Sequence, residues 1–387
     1  MSVLEQAQDL KEQLVSIRRD FHKHPEIAFE EVRTGGIVAE YCTKLGLRVR
    51  RGAKTGVIAE LNAEKSGPVV ALRADMDALP IQEQNDAAYK STIAGKGHLC
   101  GHDAHTAMLM GAVQVLLKHK DRIPFPVRFL FQPAEEVPKG GAEKLIEEGH
   151  LDGVSEIFGI HVNPQLPTGV LGIRSGATMA SMDRFEIVIE GRGGHGAMPN
   201  LAADPVTTAA EIVMALQTVV ARRVDPLDPA VVSVCQIDAG SAFNVIPSEC
   251  RMIGTARSLA ASVREKLPRW MEEIAGGVAQ AHGLRAKVSY QHGTPVLVNR
   301  RDAAEAMGAA FRNLGGKESE IRPTMGGEDF AYYLERVPGC FGFLGAGDGS
   351  PRTAQCFHHP RYDIDEAALP WGSALLAQLI LDRAGVK

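Results

Sequence analysis

Apolar residues recur along the chain with two periods in alternation, and that alternation predicts an architecture. Leu10, Leu14, Ile17 and Phe21 fall at helical spacing, as do Ile37, Val38, Tyr41, Cys42 and Leu45, a stretch that stops at Gly46. The β-rich runs VIAEL and VVALRAD follow, then a helix carrying Met108, Leu109, Ala112, Val113, Leu116 and Leu117, then the run VRFLFQ. Helices alternating with short extended runs predict an α/β sheet covered by helices. From about Met182 the pattern changes to strand FEIVIEG, helix VTTAAEIVMALQTVV, strands VVSVCQID and CRMIGTAR, a helix near Trp270 to His282, and strand AKVSYQ. This β-α-β-β-α-β succession is the ferredoxin-like order. Pro268 falls inside an otherwise continuous helical stretch, so the second of these helices is expected to start or kink there. After Thr294 the first pattern resumes with helix AAEAMGAAFRNLGG, strand FGFLG and a final helix from about Ala367. The expected organisation is a large domain formed by residues 1–181 and 294–387, with a smaller module, 182–293, inserted into it. A chain of 387 residues exceeds the size at which one core keeps growing, which agrees with two domains.

Composition removes several classes of function. Hydrophobic residues make up 45% and charged residues 23%, with no low-complexity tract, so a folded globular protein is expected. The net charge is -5 and no Lys/Arg run forms a stripe, which excludes a phosphate-backbone footprint and with it nucleic acid as the partner. The opening MSVLEQAQDLKEQLVSIRRDFHKH is charged throughout; it lacks a signal-peptide centre and the ~20 apolar residues of a membrane helix, so a cytoplasmic protein without a membrane partner is expected. Cysteines 42, 100, 235, 250, 340 and 356 are scattered, a usage that fits buried thiols and one metal ligand rather than disulfides.

The densest chemistry lies in HLCGHDAHTAML, where Cys100, His102, Asp103 and His105 sit just ahead of a helix's apolar face. The plainer alternative makes Asp103 a helix cap and leaves the histidines in solvent. It would suffice for one histidine, but four coordinating side chains in six residues outweigh it. Thiolate and imidazole together suit zinc-like metals. A second signal is FLFQPAEE, where a strand ends on Pro133 and delivers Glu135 and Glu136 together. Catalytic groups collect at such strand ends in open α/β sheets. Adjacent residues of an extended segment point in opposite directions, so one carboxylate can bind metal while the other faces a water molecule. An isolated EE pair is usually a solvated surface feature; its place after a buried-looking strand argues otherwise here. His161, ending EIFGIHV, and His358, in CFHHPRYD, complete a candidate shell. Cys100, His102, Glu136, His161 and His358 are enough for two ions if one ligand bridges. Spacing alone leaves open whether His105 or His359 replaces its neighbour.

The motifs FHKHPEIAFEE, ALRADMDALPI, CGHDAHTAML, FQPAEE, GIHV, GGHGAMP, NVIP, GTARS, GGEDFAYY and FHHPRYD occur in an order that is similar to one family. Over essentially its whole length the chain resembles the aminoacylase/carboxypeptidase family of dinuclear metallohydrolases, in its hippurate hydrolase and auxin-conjugate amidohydrolase branch. The resemblance implies a mixed-sheet, zinc-peptidase-like catalytic domain with an inserted ferredoxin-like α+β lid and dimerisation domain, and a homodimer or dimer-based oligomer. It implies two divalent ions per subunit, zinc first, with manganese, cobalt or nickel as alternatives. Cys100, His102, Glu136, His161 and His358 match the family's ligands, Cys100 as the bridge, and Glu135 matches the general base. In relatives the histidine equivalent to His195 crosses a dimer interface to stabilise an oxyanion; Asn244 resembles a second such donor and Arg257 the anchor of the substrate carboxylate. Gly326 and Gly327 are expected to line the substrate's amino-acid end. The implied activity is hydrolysis of the amide bond of N-acyl amino acids, hippurate-like or related acyl and aryl conjugates, to a carboxylic acid and a free amino acid. A dipeptidase or carboxypeptidase of the same family is the alternative enzyme, and a non-catalytic metal-binding relative the alternative of another class. Retention of both Glu135 and His195, which merely holding metal does not require, weighs against the latter. One departure stands out: the wider family's H-x-D motif reads Asp75-Met76-Asp77 here, and both aspartates are expected to orient ligands.

Overall fold

In a computed structural model that describes residues 1–386, the chain divides into two compact units. The larger takes in Met1–Gly176, Val298–Arg322 and the segment from Asp329 onward; the smaller comprises Ala177–Leu297 and Pro323–Glu328. The smaller unit therefore extends a few residues beyond 182–293 on both sides, and it also includes a distant segment carrying Gly326 and Gly327.

The larger unit is built on an eight-stranded mixed sheet. Its strands lie in the order Arg48–Gly52, Gly56–Leu61, Val127–Gln132, Val69–Asp75, Val154–Pro167, Gly339–Gly347, Val170–Ile173 and Lys317–Glu320. Val69–Asp75 runs parallel to both of its neighbours, and Val154–Pro167 runs parallel to Gly339–Gly347. Strands buried on both faces read as continuous apolar runs rather than alternating ones. VVALRAD and VRFLFQ are buried at every position. Helices His102–Leu117 and Ala368–Arg383 are apolar nearly all round because they pack against each other and the sheet. A Cβ on Gly372 would meet Met108 Cγ at 2.8 Å and Ile160 Cδ1 at 3.1 Å, so the close approach of these helices depends on a missing side chain.

In the smaller unit a four-stranded antiparallel sheet has the order Ala230–Ala239, Glu249–Ser258, Asp183–Glu190, Arg285–Gln291. That is the arrangement which the β-α-β-β-α-β succession produces. Asp183–Glu190 alternates buried and accessible positions, and its inward Phe185, Ile187 and Ile189 join Ile212 and Leu216 of one helix and Met271 and Ala275 of the other in a separate core. Helix Pro205–Thr218 starts where the Asp204 side chain accepts from Val206 N. Pro268 sits in the first turn of helix Leu267–Ala281, so it starts that helix rather than kinking it. Among the described residues no helix is long and apolar enough to cross a membrane.

Most of the buried charged residues belong to the larger unit. Arg18, on helix Lys11–Lys23, is fully buried; it donates from Nε to Asp103 Oδ2 at 2.7 Å and from Nη2 to Asp363 Oδ1 at 3.0 Å. His22 Nδ1 lies 2.8 Å from the same Asp103 oxygen. The first turn of helix His102–Leu117 is thus tied to helix Lys11–Lys23. Burial alone would raise the Asp103 pKa, but Arg18 and His22 outweigh it and hold the carboxyl well below the usual range. A depressed folded pKa gives stability that is complete above the unfolded value, ~4, and is lost as pH falls through the folded one. Asp103→Asn, which leaves the Arg18 charge under-compensated, is expected to cost about 3–5 kcal/mol near pH 7. Urea unfolding should show the gap between wild type and mutant narrowing as pH is lowered toward ~3. A gap of constant size would contradict the assignment.

Candidate active site

The functional side chains collect where parallel strands end. Asp75 pairs with Gln132 at the last positions of Val69–Asp75 and Val127–Gln132, and His161 lies on Val154–Pro167, which flanks Val69–Asp75 on its other side. Residues 75–77, 133–136 and His161 therefore share one end of the sheet, the usual place for a site in an open α/β fold. Helix His102–Leu117 begins with Gly101 in the left-handed region, φ 102°. A Cβ there would crowd Val162 and approach Tyr362 Oη to 2.8 Å. This one glycine lets Cys100 and His102 turn into the same cluster.

Two sets of three potential ligand atoms, each within 4.8 Å of one another, form there: Cys100, His102 and His161, and Cys100, Glu136 and His358. Cys100 belongs to both. Its Sγ is 3.4 Å from His161 Nε2, and His358 Nε2 is 3.1 Å from Glu136 Oε1. His102 Nε2 is buried with no hydrogen-bond partner, a cost that a coordinated ion would remove. A sulfur, nitrogen and carboxylate donor set of this kind fits divalent transition metals. Burial, with Glu136, Glu135 and Asp75 adding to it, pushes the Cys100 thiol well up. For His102 burial acts the other way, but Asp75, Asp77 and Glu136 prevail and raise it to about 10. Metal entry has to displace these protons, so affinity weakens as pH falls.

The neighbouring polar groups decide which histidines face inward. Asp77 Oδ1 lies 3.2 Å from His102 Nδ1, while its Oδ2 accepts from Glu136 N at 3.0 Å, so one aspartate orients two ligand candidates. Asp75 takes His105 Nδ1 at 2.6 Å and Arg73 Nη1 at 2.6 Å. His105 Nε2 accepts from Val162 N at 2.9 Å, which occupies its second nitrogen. Within the nearby trio Asp75, His102 and His105, only the Asp75–His105 pair is hydrogen-bonded. His359 accepts from Arg361 N at 3.1 Å and joins no cluster, whereas His358 adopts φ 66°, a conformation that L-residues disfavour and that functional sites often store. His102 and His358 thus belong to the ligand sets that contain Cys100, and His105 and His359 do not.

Glu135 is also within reach of this cluster, grouping with His102 and Glu136. Its Oε1 accepts from Asp329 N at 3.3 Å. The Asp329 carboxylate is clamped by Gln132 Nε2 at 2.7 Å and Arg73 Nη2 at 2.8 Å, and Arg73 Nε donates to Gln132 Oε1 at 2.8 Å. The sequence reading placed Asp329 with Gly326, Gly327 and Glu328 at the substrate's amino-acid end and did not single out Arg73 or Gln132. The available signal was a lone arginine inside the apolar run VVALRAD, because a cation on a buried strand needs buried partners.

The chain is similar to known proteins along most of its length. The profile described as Peptidase family M20/M25/M40 matches residues 71–382. The chain belongs to the M20/M25/M40 peptidase family. It is 41% identical to an N-acetylcysteine deacetylase of Bacillus subtilis, over 95% of both chains. It is equally 41% identical to the IAA-amino acid hydrolase ILR1-like 2 of Arabidopsis thaliana, over 95% of this chain and 84% of that one. Among solved structures, the Bacillus subtilis YXEP protein, a dinuclear metal binding peptidase from the M20 family, superposes with TM-score 0.87 at 37% identity, covering 98% of this chain and 99% of that one. The protein is a metal-dependent amidohydrolase of the M20 family, and its candidate cluster lies within the matched residues.

The other expected site residues lie on the smaller unit, where they form two groups. His195 and Val245 are partners in a two-stranded ladder, and Gly196 N donates to Asn244 O at 2.8 Å, so His195 and Asn244 are neighbours. Both are exposed, and the His195 Nδ1 accepts from Ala197 N. Arg257 is half-buried and donates from Nη1 to Met325 O at 2.8 Å, next to Gly326 and Gly327.

If Gly101 is what aims Cys100 and His102, Gly101→Ala should sharply lower the metal bound per chain. Gly315→Ala, at φ 87° with nothing within 4 Å of the added Cβ, should cost only ~1–2 kcal/mol and keep its metal. Elemental analysis of both proteins makes the comparison. Full metal content in Gly101→Ala would disprove the role.

Proposed function

We propose that the protein hydrolyses the amide bond of N-acyl amino acids, hippurate-like or related acyl and aryl conjugates, releasing a carboxylic acid and a free amino acid. The observation that carries this reading is the membership of Cys100 in both ligand sets with Glu135 beside them. The deacetylase and auxin-conjugate hydrolase names of its relatives supply the substrate class. Cys100 as bridge, with His102, His161, Glu136 and His358, would hold two divalent ions, zinc first and manganese, cobalt or nickel as alternatives. Those ions, when bound, polarise the scissile carbonyl and acidify water.

The chain's own groups then carry the proton. Glu135 accepts it from the attacking water and returns it to the leaving nitrogen. Asp329 N aims the Glu135 carboxylate, and the Arg73–Asp329 pair keeps Asp329 from drifting. His195 and Asn244 donate to the oxygen that becomes negative in the tetrahedral intermediate, a type of contact worth roughly 3 kcal/mol of barrier each. Arg257 pairs with the carboxylate of the amino-acid portion, for which its planar fork is suited. Gly326 and Gly327 leave backbone accessible at that end.

Glu135→Gln tests the central role: turnover of a benzoyl-amino acid should fall ~10²–10⁴-fold with metal content unchanged. Glu136→Gln should lose metal as well. A fully active Glu135→Gln enzyme would end the general-base assignment, and faster cleavage of a free dipeptide than of its N-benzoyl counterpart would move the substrate class to peptides.

His195 is assigned to the site of a partner subunit in a homodimer. Next to it the smaller unit exposes Met198, Leu201, Val245 and a wholly accessible Phe243, apolar area of the kind that a subunit interface covers. Glu135→Ala and His195→Ala should each be nearly inactive. Mixed so that subunits exchange, they should regain about a quarter of wild-type activity, because each random heterodimer holds one intact and one doubly damaged site. No recovery despite proven exchange would place His195 in its own chain's site.

A further inference from the structure

The segment FHKHPEIAFEE contributes neither a ligand nor a base, yet its carboxylates are used in a specific way. Glu26 accepts from Arg33 N and Thr34 N at 2.9 and 2.8 Å and so takes up the first free amides of helix Val32–Lys44. Glu31, at the N-cap position of that helix, makes no side-chain cap and is fully buried. Its Oε2 accepts from Thr55 Oγ1 at 2.6 Å. Its Oε1 accepts from Phe29 N at 3.0 Å and, across the fold, from Ala134 N at 2.8 Å.

Ala134 is the residue just before Glu135. It sits at φ 54°, in the left-handed region that a residue with a Cβ avoids unless its surroundings impose it. Two contacts hold its peptide groups there: the Glu31 carboxylate on the N–H, and Gly141 N donating to the carbonyl at 3.0 Å. On the other side of Glu135, Glu136 N is held by Asp77 at 3.0 Å. The turn is thus pinned before the base by Glu31 and after it by Asp77. Retaining an acid at this place is costly. Burial, opposed by the Thr55 hydrogen bond and reinforced by Asp77, pushes the Glu31 carboxyl up to about 7.

We infer that Glu31 is a positioning residue for the reaction: its carboxylate holds Ala134 in the left-handed turn that aims Glu135. The inference rests on the roles given above to Glu135 and Glu136. An amide can do the same work, because a Gln carbonyl accepts both N–H groups while its NH₂ donates to the Thr55 hydroxyl. Alanine cannot.

The test uses metal-loaded enzyme and two readouts, deuterium exchange of the peptide containing Ala134 and steady-state kinetics. Glu31→Ala should speed exchange at Ala134 about tenfold or more while the peptide covering Asp183–Glu190 is unchanged. Its kcat should fall roughly 10–100-fold with KM within about threefold, the effect of a base displaced by about an ångström. Glu31→Gln should keep both within about threefold of wild type, since its carbonyl keeps the acceptor for both N–H groups and its NH₂ can donate to a reoriented Thr55 hydroxyl. Unchanged exchange in Glu31→Ala, or a Glu31→Gln enzyme as damaged as Glu31→Ala, overturns the inference. Should Glu31→Ala not fold, Thr55→Val, which removes the hydroxyl on the other carboxylate oxygen at nearly constant shape, decides it: faster exchange at Ala134 supports the role and wild-type exchange refutes it. An active Glu135→Gln enzyme would remove the base assignment while leaving the exchange result intact, so the two failures are distinguishable.

Discussion

Asp75, Asp77, Glu135 and Glu136 converge at one end of a sheet whose strands are otherwise apolar, and carboxylates so crowded need fixed positive charge or donated hydrogen bonds at close range. Arg73 answers part of that need from within the sheet. Through its three nitrogens it holds Asp75, Gln132 and Asp329 at 2.6–2.8 Å, and so links the groups behind the histidines to the group behind Glu135. Burial raises the Asp75 pKa in isolation, but Arg73, His102 and His105 reverse this and keep the carboxyl well below its ordinary range. The remaining negative charge belongs to the groups that face the candidate ions. A divalent pair would complete the neutralisation, which explains why the cluster's unpartnered His102 nitrogen and its acids share one pocket of space.

Compensation of this sort makes the site rigid as well as tolerable. Three of the candidate ligands are oriented by neighbouring groups: His102 by Asp77, Glu136 through its amide by the same Asp77, and the strand carrying His161 through Val162 N and His105. Such outer contacts set the tautomer and direction of a ligand, and a site loses affinity when they loosen. The arrangement depends on register. Asp75 and Gln132 must be level across parallel strands, because a slip of one residue would turn every side chain to the opposite face.

Much of this was legible in the sequence wherever the determinants are local. Helical periodicity located Lys11–Lys23, Val32–Lys44 and His102–Leu117, and the clusters around Cys100 and Glu135 announced themselves by density. The outer strands did not. Arg48–Gly52 and Lys317–Glu320 are polar segments at the two edges of the sheet, and their pairing comes from the neighbouring strand rather than from any apolar pattern of their own. His358 differs from His359 in its positive φ, and His105 from His102 in accepting an amide from Val162, and neither feature shows in a local sequence pattern. Arg73 and Asp329 are 256 positions apart, so nothing local could have joined them.

Strand Gly339–Gly347 lies in the interior of the sheet, between Val154–Pro167 and Val170–Ile173, although it comes from the carboxyl-terminal part of the chain. On a ribosome, the first half of the molecule emerges with the facing edges of those strands unpaired, and they stay so until more than 170 further residues have been made. The contiguous Ala177–Leu297 stretch, by contrast, contains all four strands of its own sheet and can close as soon as it appears. The insertion thus separates a fast, local folding problem from a slow, long-range one. His358, the last candidate ligand, follows the closing strand in the chain.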